Sequence, residues 1–146
     1  MKTVNIYTDG ACRGNPGDGG WGVLIEFEHN SKEFFGGKKN TTNNQMELMA
    51  VIKGLTALKR PVRIHIVTDS KYVMNGIQDW LPKWKLNNWR TAAKKPVANK
   101  ELWEQLDSLC QTHQTSWEWV KGHSGHPMNE RCDALASIEA AKIASS

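Results

Sequence analysis

The stretch IYTDGACRGNPG at residues 6–17 decides the fold expected for this chain. Its first residues alternate in the manner of a β-strand, and the alternation stops at Asp9. The glycine-rich segment that follows predicts a loop. A second strand-like run, VRIHIVT at residues 62–68, also leads into an aspartate, Asp69. A helical crossover between these runs would make them parallel neighbours, with both acids at one edge of a sheet.

The other elements follow from hydrophobic periodicity and from capping residues. Two further strands are predicted at residues 22–28 and 32–38, and a last one at 115–120. Helices are predicted after the N-cap candidates Thr42, Ser70 and Asn99 and after Pro127. Strands first and strand–helix alternation later indicate an α/β sheet with an antiparallel meander and parallel additions.

Composition limits the class of protein. With 146 residues, 39% of them hydrophobic, the chain is expected to form one domain with a single core. Three cysteines without metal-type spacing indicate a reducing compartment. No signal peptide or long apolar run is found, so we expect a cytoplasmic protein without a membrane segment.

The positive charge is concentrated in one segment. Residues 80–100, WLPKWKLNNWRTAAKKPVANK, hold six cations and no acid, which leaves a net charge of −2 for the rest of a +4 chain. Trp80, Trp84 and Trp89 lie between these cations. A surface helix that buries its tryptophans is the simpler interpretation, while a polyanion partner explains the charge better.

Four acids are candidates for a common site. Asp9 and Asp69 follow strands, while Glu47 and Asp133 lie early in predicted helices. Taken singly, each acid also fits a cap or a favourable helix-dipole charge. Taken together, packed carboxylates repel one another, and divalent cations with oxygen ligands relieve that repulsion. Two such ions about 3.5–4 Å apart can clamp a phosphoryl displacement.

The motifs in their order resemble those of ribonuclease H of the bacterial type 1 family. The matching segments are YTDG at 7–10, NPG at 15–17, TNNQMEL at 42–48, TDS at 68–70, WVKGHSGH at 119–126 and NERCD at 129–133. The resemblance runs from about Val4 to the last helix. It implies a ribonuclease H-like fold: a five-stranded mixed sheet, with a meander of three strands plus two parallel strands, flanked by helices.

The resemblance also implies a reaction. It is metal-dependent endonucleolytic cleavage of the RNA strand of an RNA–DNA hybrid, with Mg2+ or Mn2+ and two ions during turnover. Products would carry 5′-phosphate and 3′-hydroxyl ends. The metal-binding catalytic acids would be Asp9, Glu47, Asp69 and Asp133. His123 would take part in proton transfer or product release, and Glu130 would have an auxiliary role.

The resemblance extends to nucleic-acid contacts. Asn15, Thr42, Asn43 and Asn44 match contacts to the backbone, 2′-hydroxyls or phosphates, although they also suit turns and caps. Residues 80–100 match the family's basic protrusion, which contacts the DNA strand. Within it, the expected nucleic-acid contacts are Trp80, Trp84, Lys85, Trp89, Lys94 and Lys95.

Two positions depart from the family pattern. Gln45 stands where arginine is common, and Lys71 stands where glutamine is common. We therefore expect altered affinity or salt dependence. The chain is expected to be a monomeric, single ribonuclease H domain over residues 1–146, without a separate hybrid-binding module.

Two alternatives remain open at this point. One is another nuclease or transposase of the same fold, such as a retroelement ribonuclease H domain, against which His123 and the basic protrusion speak. The other is a module that binds hybrids without cutting them. Retention of all four acids argues against that module, because carboxylates near phosphates weaken binding unless metals are present.

Overall fold

The computed structural model describes residues 3–91, 93–122 and 126–145. The strands are β1 (Thr3–Gly14), β2 (Gly17–Phe27), β3 (Asn30–Thr41), β4 (Arg63–Thr68) and β5 (Gln114–Trp119). The helices are α1 (Asn43–Thr56), α2 (Lys71–Asn75), α3 (Leu81–Leu86), α4 (Lys100–Thr112) and α5 (Pro127–Ala144). A π-helical turn (Gly76–Trp80) joins α2 to α3. None of the helices in these ranges is long and apolar enough to cross a membrane.

The five strands form one mixed sheet in the order β3-β2-β1-β4-β5. The first three strands are antiparallel neighbours, whereas β4 runs parallel to β1 and β5 runs parallel to β4. The predicted fold is therefore confirmed. In the β1–β4 register, Thr8 lies opposite Thr68, so Asp9 and Asp69 follow at the same edge.

The glycine-rich loop predicted after Asp9 is wrong. β1 continues to Gly14 and pairs with β2 down to the Gly14–Gly17 pair, so only residues 15 and 16 form the turn. Glycine has no side chain to supply the alternating pattern by which a strand is recognised, and its ladder hydrogen bonds come from the backbone alone. Asp9 therefore projects from the middle of a long strand.

Helices cover both faces of the sheet. On one face, α1 packs Leu48, Val51 and Leu55 against strand residues that include Ile6 and Val23, and all five side chains are buried. On the other face, α5 lies across β2, β1 and β3. Burial of both faces fixes the sheet between two layers, which gives the carboxyl edge of β1 and β4 a rigid base.

The helices begin largely at the N-cap residues that the sequence predicts. Thr42 Oγ1 accepts a hydrogen bond from the amide of Gln45, and Ser70 Oγ accepts one from the amide of Val73. Asn99 does precede α4, but its side chain makes no capping hydrogen bond. Its backbone is in the left-handed region, and its amide is hydrogen-bonded elsewhere, to side chains distant in sequence. The N-cap position predicted for Asn99 is therefore confirmed, while its side chain makes other contacts.

The start of α1 lies against β1 because residue 10 is glycine. A Cβ at Gly10 would lie 2.6 Å from the backbone nitrogen of Glu47 and 2.6 Å from the backbone carbonyl carbon of Met46. Both neighbouring atoms belong to a helix backbone, which cannot rotate away as a side chain can. Gly10 thus sets how closely Glu47 approaches the strand that carries Asp9.

We expect Gly10→Ala to lower the free energy of unfolding by about 1–3 kcal/mol, since the added methyl group overpacks a backbone contact. Gly54→Ala in α1 is the matched control, because its Cβ would meet only side-chain methyl groups, at 3.1 Å. Urea unfolding of both variants checks the prediction. A Gly10→Ala variant as stable as the wild-type protein would contradict it.

Candidate active site

The acids predicted from strands and helix starts meet where β4 ends beside the middle of β1. Asp9, Glu47 and Asp69 each offer one carboxylate oxygen, and these three atoms lie within 4.8 Å of one another. Asp133, from α5, lines the same cleft of about 430 Å³. This cleft, named here the carboxylate cleft, therefore brings together four acids that are up to 124 positions apart in the sequence.

A single backbone amide connects the first two acids. Gly10 N–H donates to Asp9 Oδ1 at 2.9 Å and to Glu47 Oε1 at 2.6 Å. Asp9 and Glu47 are each only 5% exposed. One amide can compensate only part of the charge of two buried carboxylates. Glu47 also has side-chain hydrogen bonds with Asp9 and Ser70, so the pair is held in place by hydrogen bonds from several groups, yet burial still raises both pKa values.

The environment raises the pKa of both buried acids. For Asp9, burial is the largest cause, followed by the negative charge of Glu47, and both raise the pKa. For Glu47, burial again comes first in raising the pKa, and the charge of Asp69 adds to it. Both shifts have the same physical basis, which is that a buried cluster of like charges disfavours ionisation. A bound cation would reverse that preference.

The position of Asp133 depends on how α5 packs. A Cβ at Gly22, which pairs with Asp9 across β1 and β2, would lie 2.6 Å from the carbonyl oxygen of Cys132. The thiol of Cys132 donates to the carbonyl of Tyr7 at 3.2 Å, and burial raises its pKa to about 12. Cys132 is therefore a packing residue that places its neighbour Asp133 beside β1.

Asn129 is a candidate site residue that the sequence analysis did not select. It is 7% exposed, and neither its Oδ1 nor its Nδ2 has a hydrogen-bond partner in the part of the chain that the structure describes. Asn129 lines a small cavity together with Asp69, Glu130 and Asp133. It precedes Asp133 by four residues, so a search for polar residues on the same helical face would have found it.

The donor set fits a divalent cation. Carboxylate oxygens from three elements converge, and a buried amide with an unused carbonyl oxygen lies on the adjoining cavity. Hard cations such as Mg2+ and Ca2+ prefer such oxygen ligands, and among the residues of this cluster there is no histidine or cysteine to favour a softer metal. His123, also predicted for this site, lies outside the described residues.

The polar residues at the start of α1 have both structural contacts and access to the cleft. Asn43 and Asn44 are exposed and line the carboxylate cleft. Asn15 Oδ1 accepts from the amide of Asn43 at 3.1 Å, which joins the hairpin turn to the helix. Thr42 is the N-cap. Lys71 also lines the cleft, with its ammonium 5.2 Å from the ring centre of Trp119.

The tryptophans of the basic protrusion form a continuous aromatic row. Ring centres are 5.9 Å apart for Trp80 and Trp84 and 6.4 Å apart for Trp84 and Trp89, and all three rings are partly buried. Trp80 and Trp84 line a groove of about 370 Å³ that also includes Lys83 and Arg90. Core packing and an accessible aromatic surface thus coexist in the same side chains.

The cations of the protrusion divide into two groups. Lys94 and Lys95 are exposed in a turn closed by hydrogen bonds with Thr91. Lys85, by contrast, pairs with Asp107 at 3.2 Å and lines a different concavity from the tryptophan groove. Lys83, which the sequence reasoning did not select, lines that groove instead.

Comparison with known proteins identifies the family of this chain. The family model described as RNase H matches residues 1–141. The chain belongs to the ribonuclease H family. A curated relative from Cupriavidus pinatubonensis, named Ribonuclease H, is 57% identical over 145 residues, which cover 99% of this chain and 100% of that protein. The ribonuclease H family is metal-dependent, in agreement with the cation-binding donor set.

Two solved ribonuclease H structures resemble the fold. LC9-RNase H1, described as a type 1 RNase H with the type 2 active-site motif, has a TM-score of 0.89 at 29% identity and covers 98% of this chain and 74% of its own. LC11-RNase H1, solved in complex with an RNA/DNA hybrid, has a TM-score of 0.75 at 25% identity and covers 98% of this chain and 99% of its own.

We expect Asp9→Asn to stabilise the metal-free protein at neutral pH by roughly 1 kcal/mol or more, since a pKa shift of one unit is worth about 1.4 kcal/mol. The pKa of Asp9 is raised in the folded state above its ordinary value of 3.8, so the folded state holds its proton more tightly than the unfolded state. The wild-type protein therefore loses stability as pH rises from about 4 towards the folded-state pKa. Asp9→Asn removes this contribution.

Urea unfolding in EDTA at about pH 5 and about pH 8 measures the effect. Asp79→Asn, the same change at an exposed position, is the control. If the free energy of unfolding of Asp9→Asn has the same pH dependence as that of the wild-type protein, ionisation of Asp9 does not cause the loss of stability at high pH. Added Mg2+ is expected to stabilise the wild-type protein more than Asp9→Asn, because a cation that binds only the folded state shifts the equilibrium towards it.

Proposed function

We propose that this chain is an endonuclease that hydrolyses the RNA strand of RNA–DNA hybrids. The observation that carries the proposal is the convergence of Asp9, Glu47 and Asp69 within 4.8 Å, in a cleft that Asn43 and Asn44 also line. Family membership supports the same reaction, and the relative LC11-RNase H1 has been solved with an RNA/DNA hybrid bound. Products with 5′-phosphate and 3′-hydroxyl ends are part of the proposal.

The four acids would hold the cations in this mechanism. Asp9, Glu47 and Asp69 would bind from β1, α1 and the end of β4, and Asp133 would bind from α5. When bound, divalent cations lower the pKa of the attacking water and stabilise the charge on the leaving oxygen. We propose Mg2+, with Mn2+ as a substitute and two ions during turnover. The protein supplies a fixed set of oxygens, so that little reorganisation is needed on substrate binding.

The RNA strand would lie along the start of α1. Asn43 and Asn44 line the cleft, and a side-chain amide can both donate to and accept from a 2′-hydroxyl. Asn15 and Thr42 hold this end of the helix through their hydrogen bonds with the amides of Asn43 and Gln45. The same hydrogen bonds that cap α1 therefore orient the residues that would distinguish RNA from DNA.

The DNA strand would lie on the basic protrusion. Trp80 and Trp84 offer aromatic surface for sugars, and Lys83, Lys94 and Lys95 offer charge for phosphates. Trp89 supports the row by packing on Trp84. Lys85 is expected to contribute less to phosphate binding, because it already pairs with Asp107 at 3.2 Å.

Other parts of the proposal rest on the sequence resemblance. His123 is proposed for proton transfer or product release, and Glu130, which lines the cavity beside Asp133, for an auxiliary role. The chain is proposed to act as a single domain and as a monomer. Three free cysteines are compatible with the cytoplasmic location that we propose.

We predict Mg2+-dependent internal cleavage of a labelled RNA–DNA hybrid, with duplex RNA and single-stranded RNA left largely uncut. The physical reason is that the cleft and the protrusion would contact strands of different chemistry, which only a hybrid supplies. Gel analysis of end-labelled RNA, with and without EDTA, measures the reaction. Equal cleavage of duplex RNA would remove hybrid specificity from the proposal.

The control for this assay is Asp9→Asn. It is expected to bind the hybrid but to lose nearly all turnover, because a cation ligand is replaced by a neutral amide. Hybrid binding without cleavage by the wild-type protein would instead support a binding module. Full activity of Asp9→Asn would exclude Asp9 from the mechanism.

We predict that Lys94→Ala/Lys95→Ala raises the KM for hybrids at least several-fold at low salt and leaves kcat nearly unchanged. Lost phosphate contacts weaken ground-state and transition-state binding equally, and fewer released counterions flatten the salt dependence of KM. The control is Lys53→Ala, which removes an exposed lysine from the opposite end of α1. A double variant with wild-type KM at every salt concentration would refute the role of the protrusion.

A further inference from the structure

Both polar atoms of the Gln45 side chain are used inside the protein. Its Oε1 accepts a hydrogen bond of 2.6 Å from Thr41 Oγ1, and its Nε2 donates one of 3.1 Å to Asn99 Oδ1. Gln45 is half-buried. Its helical neighbours Asn43 and Asn44 line the carboxylate cleft, but among the described lining residues Gln45 does not occur. The side chain is therefore a link between elements and not a cleft contact.

The hydrogen-bonded chain continues beyond Asn99. Asn99 Nδ2 donates to the hydroxyl of Tyr72 at 3.1 Å, and Trp103 Nε1 donates to the same hydroxyl at 3.0 Å. Asn99 has φ 59° and ψ 30°, a left-handed conformation that asparagine tolerates better than most residues. Its carbonyl accepts from the backbone amide of Trp103 at 3.0 Å. Both side-chain polar atoms and the carbonyl of Asn99 thus have specific partners.

These contacts lie at the two roots of the basic protrusion. Tyr72 precedes the protrusion and packs in a tilted arrangement against Trp80, its first residue, with ring centres 5.6 Å apart. Asn99 lies at its end, where the chain enters α4. Gln45 lies in the same helical turn region as Glu47. The chain of hydrogen bonds therefore joins the end of the protrusion, and Tyr72 that contacts its first residue, to the helix end that carries Glu47.

We propose that Gln45 is a positioning residue that fixes the basic protrusion relative to the carboxylate cleft. The inference rests on the proposed function, in which the cleft meets the RNA strand and the protrusion meets the DNA strand. A duplex holds its two backbones at a set separation. Contacts to both strands therefore add their binding energies fully only when the carboxylate cleft and the basic protrusion are already held at that separation.

The chemistry of the amide suits this position. The link needs an acceptor for the hydroxyl of Thr41 and a donor for the carbonyl oxygen of Asn99. Glutamine has both groups, whereas arginine, common here in the resembling family, only donates. Arginine would leave Thr41 Oγ1, in a residue that is 1% exposed, without this acceptor. Gln45 in this chain therefore replaces a phosphate-reaching charge with an internal link.

The test is steady-state cleavage of a long hybrid by Gln45→Met, which has a similar volume but makes neither hydrogen bond. We expect KM to rise about tenfold, the effect of losing one to two hydrogen bonds, with kcat within about twofold of the wild-type value. Asn99→Gly, which retains the left-handed backbone, should give a similar rise. The double variant should be less impaired than the sum of the two single effects, because both variants remove the Gln45–Asn99 hydrogen bond.

A short hybrid separates positioning from direct contact. The substrate is the longest hybrid on which Lys94→Ala/Lys95→Ala has the wild-type KM, so that the protrusion is not engaged. On this substrate Gln45→Met should also have the wild-type KM. The control variant is Thr56→Val, which removes one side-chain hydrogen bond, to the carbonyl of Ile52, at the other end of α1. It should leave KM unchanged on both substrates.

Three results would overturn the inference. They are an unchanged KM for Gln45→Met on the long hybrid, an equal rise on the short hybrid, and a loss of kcat without a change in KM. Additive effects in the double variant would also exclude action through the Gln45–Asn99 hydrogen bond. If the wild-type protein cuts no hybrid, the proposed function fails and this inference fails with it. Wild-type cleavage with an unchanged Gln45→Met overturns the inference alone.

Discussion

The repulsion among buried carboxylates at the edge of β1 is the constraint on which the rest of the structure depends. Asp9 and Glu47 share one backbone amide and are nearly inaccessible to water. Without a cation, the pair favours a protonated state, as the raised pKa values indicate. The sheet and helices must therefore hold the acids together against a force that separates them. Buried apolar side chains on both faces of the sheet supply the opposing stability.

Close backbone contacts between the helices and the sheet hold the acids together against this repulsion. Gly10 allows the start of α1 to touch β1, and Gly22 allows α5 to touch β2. Each glycine lies next to an acid in space, the first beside Glu47 and the second across the ladder from Asp9. A side chain at either position would push a carboxylate-bearing helix away from the sheet. Packing and chemistry are therefore set by the same atoms.

The sequence predicted the features that depend on local rules. The strand that leads to Asp69 and the Thr42 cap follow from periodicity and capping chemistry, and the parallel pairing of β1 with β4 then brings Asp9 and Asp69 together. The extension of β1 beyond Asp9 was not predictable, because glycines remove the alternation that marks a strand. The roles of Asn99 and Lys85 depend on Tyr72 and Asp107, which are 27 and 22 positions away. Such long-range partners leave no local pattern.

The link through Gln45 follows from the same need for a rigid arrangement. The carboxylate cleft gains from being fixed, because cations need several oxygens at once. A protrusion that moved freely would lose binding energy to the entropy of ordering it on each encounter with a duplex. Hydrogen bonds from Thr41 through Gln45 to Asn99 reduce that cost by ordering the protrusion before substrate arrives. An uncharged amide can therefore replace a cation at this position, because it orders the protrusion where a cation would attract a phosphate.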